Sequence, residues 1–182
     1  MKTDFIRLQG SISDGIDTSL CHYYKKAFSI ASSLVQHLDG LSIDPFSRNC
    51  QWAIETNDLD PSTSAKHNLD ALDFLNLFSP KSVKIILFDP PFSTRQEKKY
   101  HYTSNLYSSD SNKISKLYLK SSNLLIHGGV FLKLGFNSTR PHPNFSLHTQ
   151  INVNFGGSRN DVICTIWVNS NSSLFHYPKV VQ

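Results

Sequence analysis

Lys84-Ile85-Ile86-Leu87-Phe88-Asp89-Pro90-Pro91-Phe92 is the stretch whose reading decides the fold. An apolar run from Val83 to Phe88 ends in a carboxylate, two prolines and an aromatic ring. An uninterrupted apolar run of this length predicts a strand covered on both faces, as in a parallel sheet. Pro90 and Pro91 lack N–H donors and fix φ, so the strand stops there. In an open α/β sheet, ligands collect outside the carboxyl ends of the strands. Asp89 and Phe92 therefore stand on a stiff turn where a ligand would sit. A proline-terminated strand with a capping Asp has the same letters, so the surrounding segments must decide.

Upstream, Leu41-Ser42-Ile43-Asp44-Pro45-Phe46 reads as a first core strand, also ending in Asp-Pro. Gln51 to Asn57 reads as a second short strand, followed by Asp58-Leu59-Asp60-Pro61. Ser62 to His67 suits a short helix. Asn68 to Phe78 passes from a strand-like turn carrying Asp70 into a helix. Alternating strands and helices favour a parallel sheet with right-handed crossovers. Such a sheet gathers Asp44, Asp58, Asp70 and Asp89 at one edge. No glycine occurs between Gly40 and Gly128, so there is no G-x-G-x-x-G. That counts against NAD or FAD, whose pyrophosphate needs close backbone approach.

Asp89-Pro90-Pro91-Phe92 resembles motif IV, the [DNS]-P-P-[YFW] signature of S-adenosylmethionine-dependent amino methyltransferases. Three more blocks precede it in order: Asp44-Pro45-Phe46-Ser47-Arg48-Asn49-Cys50, Thr56-Asn57-Asp58-Leu59-Asp60-Pro61 and Asp70-Ala71-Leu72-Asp73-Phe74-Leu75. With Ser93-Thr94-Arg95-Gln96 completing the fourth, the set is similar to the small adenine-specific DNA methyltransferases of phages and prophages. The match covers roughly residues 41–100. The resemblance implies a Rossmann-like class I methyltransferase fold, with a mostly parallel seven-stranded sheet and an antiparallel C-terminal hairpin. It implies methyl transfer from S-adenosylmethionine to adenine N6 in DNA. The catalytic group would be Asp89, Pro90, Pro91 and Phe92. Asp89 Oδ and the Pro90 carbonyl would accept the two N–H bonds of the amine, favouring a pyramidal nitrogen and stabilising its developing charge. Phe92, where Tyr is commoner, would stack on the base. Asp44, Phe46 and Asn49 would line the methionine end of the cofactor, Asp58 would bind the ribose hydroxyls, and Asp70 would lie near its adenine. A cofactor that carries ammonium and sulfonium charges and no phosphate suits an acidic, glycine-free edge.

From Ser93 to Asp110, Arg95, Lys98, Lys99 and His101 are interleaved with Tyr100, Tyr102 and Tyr107. Basic residues among aromatics suit a phosphate backbone and unstacked bases. Residues 93–110 are therefore expected to be a mobile substrate loop, with Arg95, Lys98, Lys99 and Tyr100 binding nucleic acid, DNA first. RNA or a protein amide as acceptor remains open, as does a non-catalytic nucleic-acid-binding subunit.

At 182 residues with 39% hydrophobic content, the chain fits one globular domain spanning 1–182. A net charge of +4 and a pI near 8.9 are compatible with a polyanionic partner. Cys21, Cys50 and Cys164 show no C-x-x-C pairing, and the eight histidines show no ligand spacing, so no metal is expected. No apolar run approaches 18 residues and Met1 to Phe5 has no signal-peptide core, so a cytoplasmic protein away from membranes is expected.

The remaining elements follow from periodicity. Residues 1–17 read as a lead-in. Leu20, Tyr24, Ala27, Ile30 or Ala31, Leu34 and Leu38 predict a helix over about 18–38, closed by Gly40. Ser111 to Leu125 predicts a helix ended by His127-Gly128-Gly129. Val130 to Phe136 predicts a fifth core strand, and Leu147–Phe155 with Asp161–Val168 a hairpin. The tail from Asn169 is expected to fray.

Overall fold

A computed structural model describes residues 4–9, 22–91, 93, 97, 107, 110–154 and 162–170. Its strands are β1 (Asp4–Gln9), β2 (Leu41–Asp44), β3 (Glu55–Thr56), β4 (Val83–Phe88), β5 (Leu125–Gly135), β6 (Phe145–Asn154) and β7 (Val162–Asn169). Its helices are α1 (His22–Leu34), α2 (Ala71–Asn76) and α3 (Ser111–Leu124). The strands form one mixed sheet in the order β1-β6-β7-β5-β4-β2-β3.

Alternation along β4 builds three layers. Ile85 and Leu87 face one cluster with Ala27, Ala31 and Val35 of the α1 region, Leu132, Leu134, Ile151 and Ile166. Ile86 and Phe88 face the other, with Phe74, Leu75, Leu117, Leu124, Phe131, Phe145 and Trp167. Small Ala27 and Ala31, both fully buried, let α1 lie close against the sheet. β4 is thus covered on both sides, as its unbroken apolar run requires.

The chain leaves β2 outward to β3, returns through α2, and enters β4 on the opposite side of β2. The direction of winding reverses between β2 and β4, which is where an open α/β sheet binds its ligand. Asp44 ends β2 and Asp89 follows β4, so both stand at this switch point.

Several elements differ from their sequence reading. Asp4–Gln9 is an edge strand parallel to β6, where a lead-in was expected. Gly40 is the joint into β2 and not a helix cap: its φ is 137°, and a Cβ there would lie 3.0 Å from the Ser82 carbonyl oxygen. Residues 62–67 are turns in place of a helix, because the Asp60 carboxylate takes the Ser62 N–H and competes with a helical ladder. His127-Gly128-Gly129 belong to β5. That strand advances from Leu125 to Val130 while β4 advances from Val83 to Ile85, and Gly128, with φ 77°, takes up the slack. Asn169 is buried, and its amide donates to the carbonyls of Ser122, Leu125 and Ile126, pinning the α3–β5 junction. Residues 171–182 lie outside the described residues. Among the described residues no helix is long and apolar enough to cross a membrane.

Candidate functional site

The loop after β2 is built without glycine by spending its amides internally. Asp44 Oδ1 accepts from Phe46 N at 3.0 Å. Ser47 N donates to the Asn57 carbonyl at 2.8 Å, and Arg48 N to Asp58 Oδ2 at 3.1 Å. Arg48 takes a left-handed φ of 48°, unusual for a residue with a Cβ. Asn57 locks the neighbouring turn: its side-chain nitrogen donates to the Pro45 and Leu69 carbonyls, and its Oδ1 accepts from Leu69 N. Three consecutive N–H groups that a phosphate-binding loop would aim at its ligand are thus already bonded.

Carboxylates gather instead. Asp44 and Asp58 are buried and Asp89 is half-buried. Burial drives the Asp44 carboxyl well above the usual carboxylate range, and the charges of Asp89 and Asp58 push it further, against the Phe46 N–H. A carboxylate in that condition gains from any cation that reaches it. Asp58 holds Arg48 N and Asp60 N, one on each oxygen. Among the described residues no group of three or more His, Cys, Asp or Glu side chains is placed to hold a metal ion.

Asp70 and Phe46 have structural partners. Asp70 caps α2 through Leu72 N and accepts from Tyr107 Oη at 2.9 Å and Lys113 Nζ at 2.8 Å. Burial raises its carboxyl, but these three donors outweigh it and leave the pKa below its ordinary value. Phe46 is buried and meets the rings of Phe88 and Tyr107 edge-on. Asn49 is exposed and accepts from Ser64 N at 3.0 Å.

On the other side of Asp89 lies a cavity of ≈ 330 Å³, bordered by Pro90, Pro91, Tyr107, Tyr118, Lys133 and Phe136 among others. This volume is at the low end of small-molecule sites, about 300–1,000 Å³. Lys133 follows Phe131 on the α3 side of β5, and Gly135, next on that side, leaves the space open. The Lys133 ammonium donates to Asn137 Oδ1 and the Thr139 carbonyl and lies 5.9 Å from the Tyr118 ring centre. Burial lowers its pKa to about 8.

Among solved structures, the chain superposes on the N-methyltransferase NodS from Bradyrhizobium japonicum WM9 with a TM-score of 0.53, covering 87% of this chain and 99% of that one at 8% identity. What the two share is the class I methyltransferase fold. YhhF of Escherichia coli, described as a methyltransferase, matches with a TM-score of 0.49 at 12% identity over 80% of this chain and 85% of that one. TrmN from Thermus thermophilus matches at 0.49 and 18% identity over 77% of this chain, which spans 48% of TrmN. No protein-family model matches the sequence, and no curated protein matches it.

On this methyltransferase fold, Asp44, Asp58, Asp89, Pro90 and Pro91 lie around the switch point, with Asp70 one tyrosine away. Phe92, Arg95, Lys98, Lys99 and Tyr100 lie outside the described residues. Of residues 93–110, Ser93, Glu97, Tyr107 and Asp110 are described, and Glu97 and Tyr107 are buried. Tyr107 therefore packs in the core and ties Asp70 to the cavity wall, where the sequence suggested a base-stacking ring. Lys133 and Phe136 were not singled out from sequence. A lysine inside Val130-Phe131-Leu132-Lys133-Leu134 was the available signal, since a buried polar group is the informative exception.

Proposed function

We propose that the chain transfers a methyl group from S-adenosylmethionine to the exocyclic N6 amine of adenine in DNA. The observation that carries this reading is the split at the β2–β4 switch point: carboxylates on one side of Asp89, an aromatic cavity with one lysine on the other. S-adenosylmethionine, when bound, supplies a methyl group activated by a sulfonium. The residues present fit that group, because Asp44 gains from a cation and the internally bonded amides of 46–48 suit a ligand without phosphate. Asp44 and Asn49 would hold its methionine end and Asp58 its ribose, while Asp70 and Phe46 would support that pocket from behind.

The chain's own chemistry is to make a poor nucleophile competent. An exocyclic amine has its lone pair delocalised into the ring. Asp89 Oδ and the Pro90 carbonyl would accept its two N–H bonds, localising the lone pair and stabilising positive charge on nitrogen. Pro90 and Pro91, which cannot donate, leave the Pro90 carbonyl fixed and exclude competing N–H groups. Positioning of the base, extruded from its stack, would supply most of the acceleration.

Calorimetry with S-adenosylmethionine and transfer of labelled methyl to DNA, RNA and protein test the reading. Binding and N6-methyladenine in DNA are expected, and Asp89→Ala is expected to lose at least 100-fold in rate, on the order of one lost transition-state acceptor, while still binding cofactor. No binding at millimolar cofactor, or near-normal transfer by Asp89→Ala, sinks it. Label in RNA or protein alone would move the assignment to that acceptor.

A further inference from the structure

We infer that Lys133 reads the acceptor, donating a hydrogen bond to the ring nitrogen that flanks the target amine, so that the substrate group is an N=C–NH2 unit of a nucleobase. This rests on the reaction proposed above and adds what selects its substrate.

Four observations carry it. The β4–β5 register pairs Phe88 with Lys133, so Lys133 stands one residue from Asp89 on the next strand. Neighbouring strands are about 4.8 Å apart, within reach of two atoms on one small ring. Lys133 also lines the cavity beside Pro90 and Pro91. Among the described residues its ammonium has two hydrogen-bond acceptors, Asn137 Oδ1 and the Thr139 carbonyl, out of three N–H donors. Finally, it is the sole charged side chain among the described residues lining the cavity.

That chemistry selects among ligands. A phosphate or carboxylate seeks several converging donors or a guanidinium fork, and one remaining N–H does not supply them. A cationic amine is repelled. A flat neutral ring with one acceptor atom suits the aromatic and proline walls and satisfies the third donor. With a pKa near 8, Lys133 is protonated at neutral pH and can donate. In adenine the flanking nitrogen is N1. A donor on N1 does not make the amine more nucleophilic, so Lys133 is a specificity residue whose loss falls on KM and not on kcat.

The test uses the full chain, Lys133→Met, and single-stranded oligonucleotides carrying one adenine or one 1-deazaadenine. Affinity is read by fluorescence anisotropy and transfer by labelled methyl. Wild type is expected to bind the adenine oligonucleotide at least tenfold more tightly than the 1-deaza one, as for a hydrogen bond to a charged group. Lys133→Met is expected to lose that preference, to raise KM about tenfold with kcat within about threefold, an allowance for indirect effects, and to bind S-adenosylmethionine as wild type does. A wild type indifferent to the deaza substitution, or a preference that survives in Lys133→Met, overturns the inference. A Lys133-dependent preference without transfer to any nucleic acid supports the inference and removes the proposed reaction. Equal melting temperatures of the two proteins confirm that folding is not the variable.

Discussion

Asp44 is placed where its ionised form is costly and useful at once. Desolvation and the nearby Asp89 and Asp58 charges hold its carboxyl protonated to higher pH than usual. A cationic ligand would reverse that preference, so binding should drive the proton off. Affinity for S-adenosylmethionine is therefore expected to rise with pH through the raised pKa of Asp44, because only the ionised form attracts the sulfonium and ammonium. Asp44→Asn keeps an acceptor for Phe46 N and removes the ionisation. It is expected to melt at or above the wild-type temperature at neutral pH, while binding S-adenosylmethionine about tenfold or more weakly, as for a lost charge-assisted contact. Thermal melts check the first and titration calorimetry at a series of pH values the second, and a pH-independent wild type would show that Asp44 does not face the cation. The place of Asp44 at the end of β2 was legible in sequence, because an apolar run that stops at Asp-Pro marks a strand end. Tyr107 was not. Nothing local in a stretch of serines, lysines and tyrosines says which ring turns inward, and its partners Asp70 and Phe46 are distant in the chain.

At the scale of elements, α2 and α3 share the apolar cluster under the sheet and are also tied to each other by a polar knot. Asp70 caps α2 and receives Lys113 of α3, whose ammonium also lies 4.1 Å from the centre of the Tyr107 ring. Tyr107 Oη donates to Asp70 and accepts from Ala71 N, and burial pushes its own pKa up, so it stays neutral. Asp70 is ionised in the fold at lower pH than in the unfolded chain, so it contributes stability above the unfolded carboxylate pKa, about 3.9. That contribution is lost as pH falls through the lower folded value. Urea unfolding of wild type is expected to weaken over this acidic window, and Asp70→Asn to flatten the change; equal pH slopes for the two proteins would deny Asp70 the role. The elements themselves were legible where the period was strong, as in β4 and α3. They were misread where glycine was taken for a stop. Gly128 is a bulge inside β5, a function that depends on β4 pairing and leaves no trace in the local pattern.

Across the whole molecule, the sheet separates its supports from its site. β1 lies at one edge and β3 at the other, so β6, β7 and β5 stand between β1 and the β4–β2 switch point. The alternating pattern of strands and helices announced the parallel half. It could not announce β1, whose six residues alternate weakly and whose partner β6 begins at Phe145. Pairing at that separation has no local signature, and as an edge strand β1 has one neighbour, β6, where β4 has two. Removing residues 1–9 would uncover the β6 edge along Thr149 to Asn154, a row of backbone groups open to another chain. The truncated protein is expected to melt several degrees lower, as for a loss of about 1–2 kcal/mol in a domain of this size, and to elute partly as larger species at high concentration. Its affinity for S-adenosylmethionine is expected to stay within about threefold of wild type, the modest change typical of a perturbation far from the site, because Asp44 and Asp89 stand at the ends of β2 and β4 and Asp58 just after β3, across the sheet from β1. Size-exclusion chromatography, thermal melts and calorimetry on one preparation read all three. Loss of cofactor binding with the fold retained would mean that β1 and the chain leading from it reach the site, and that the sheet's two ends are coupled.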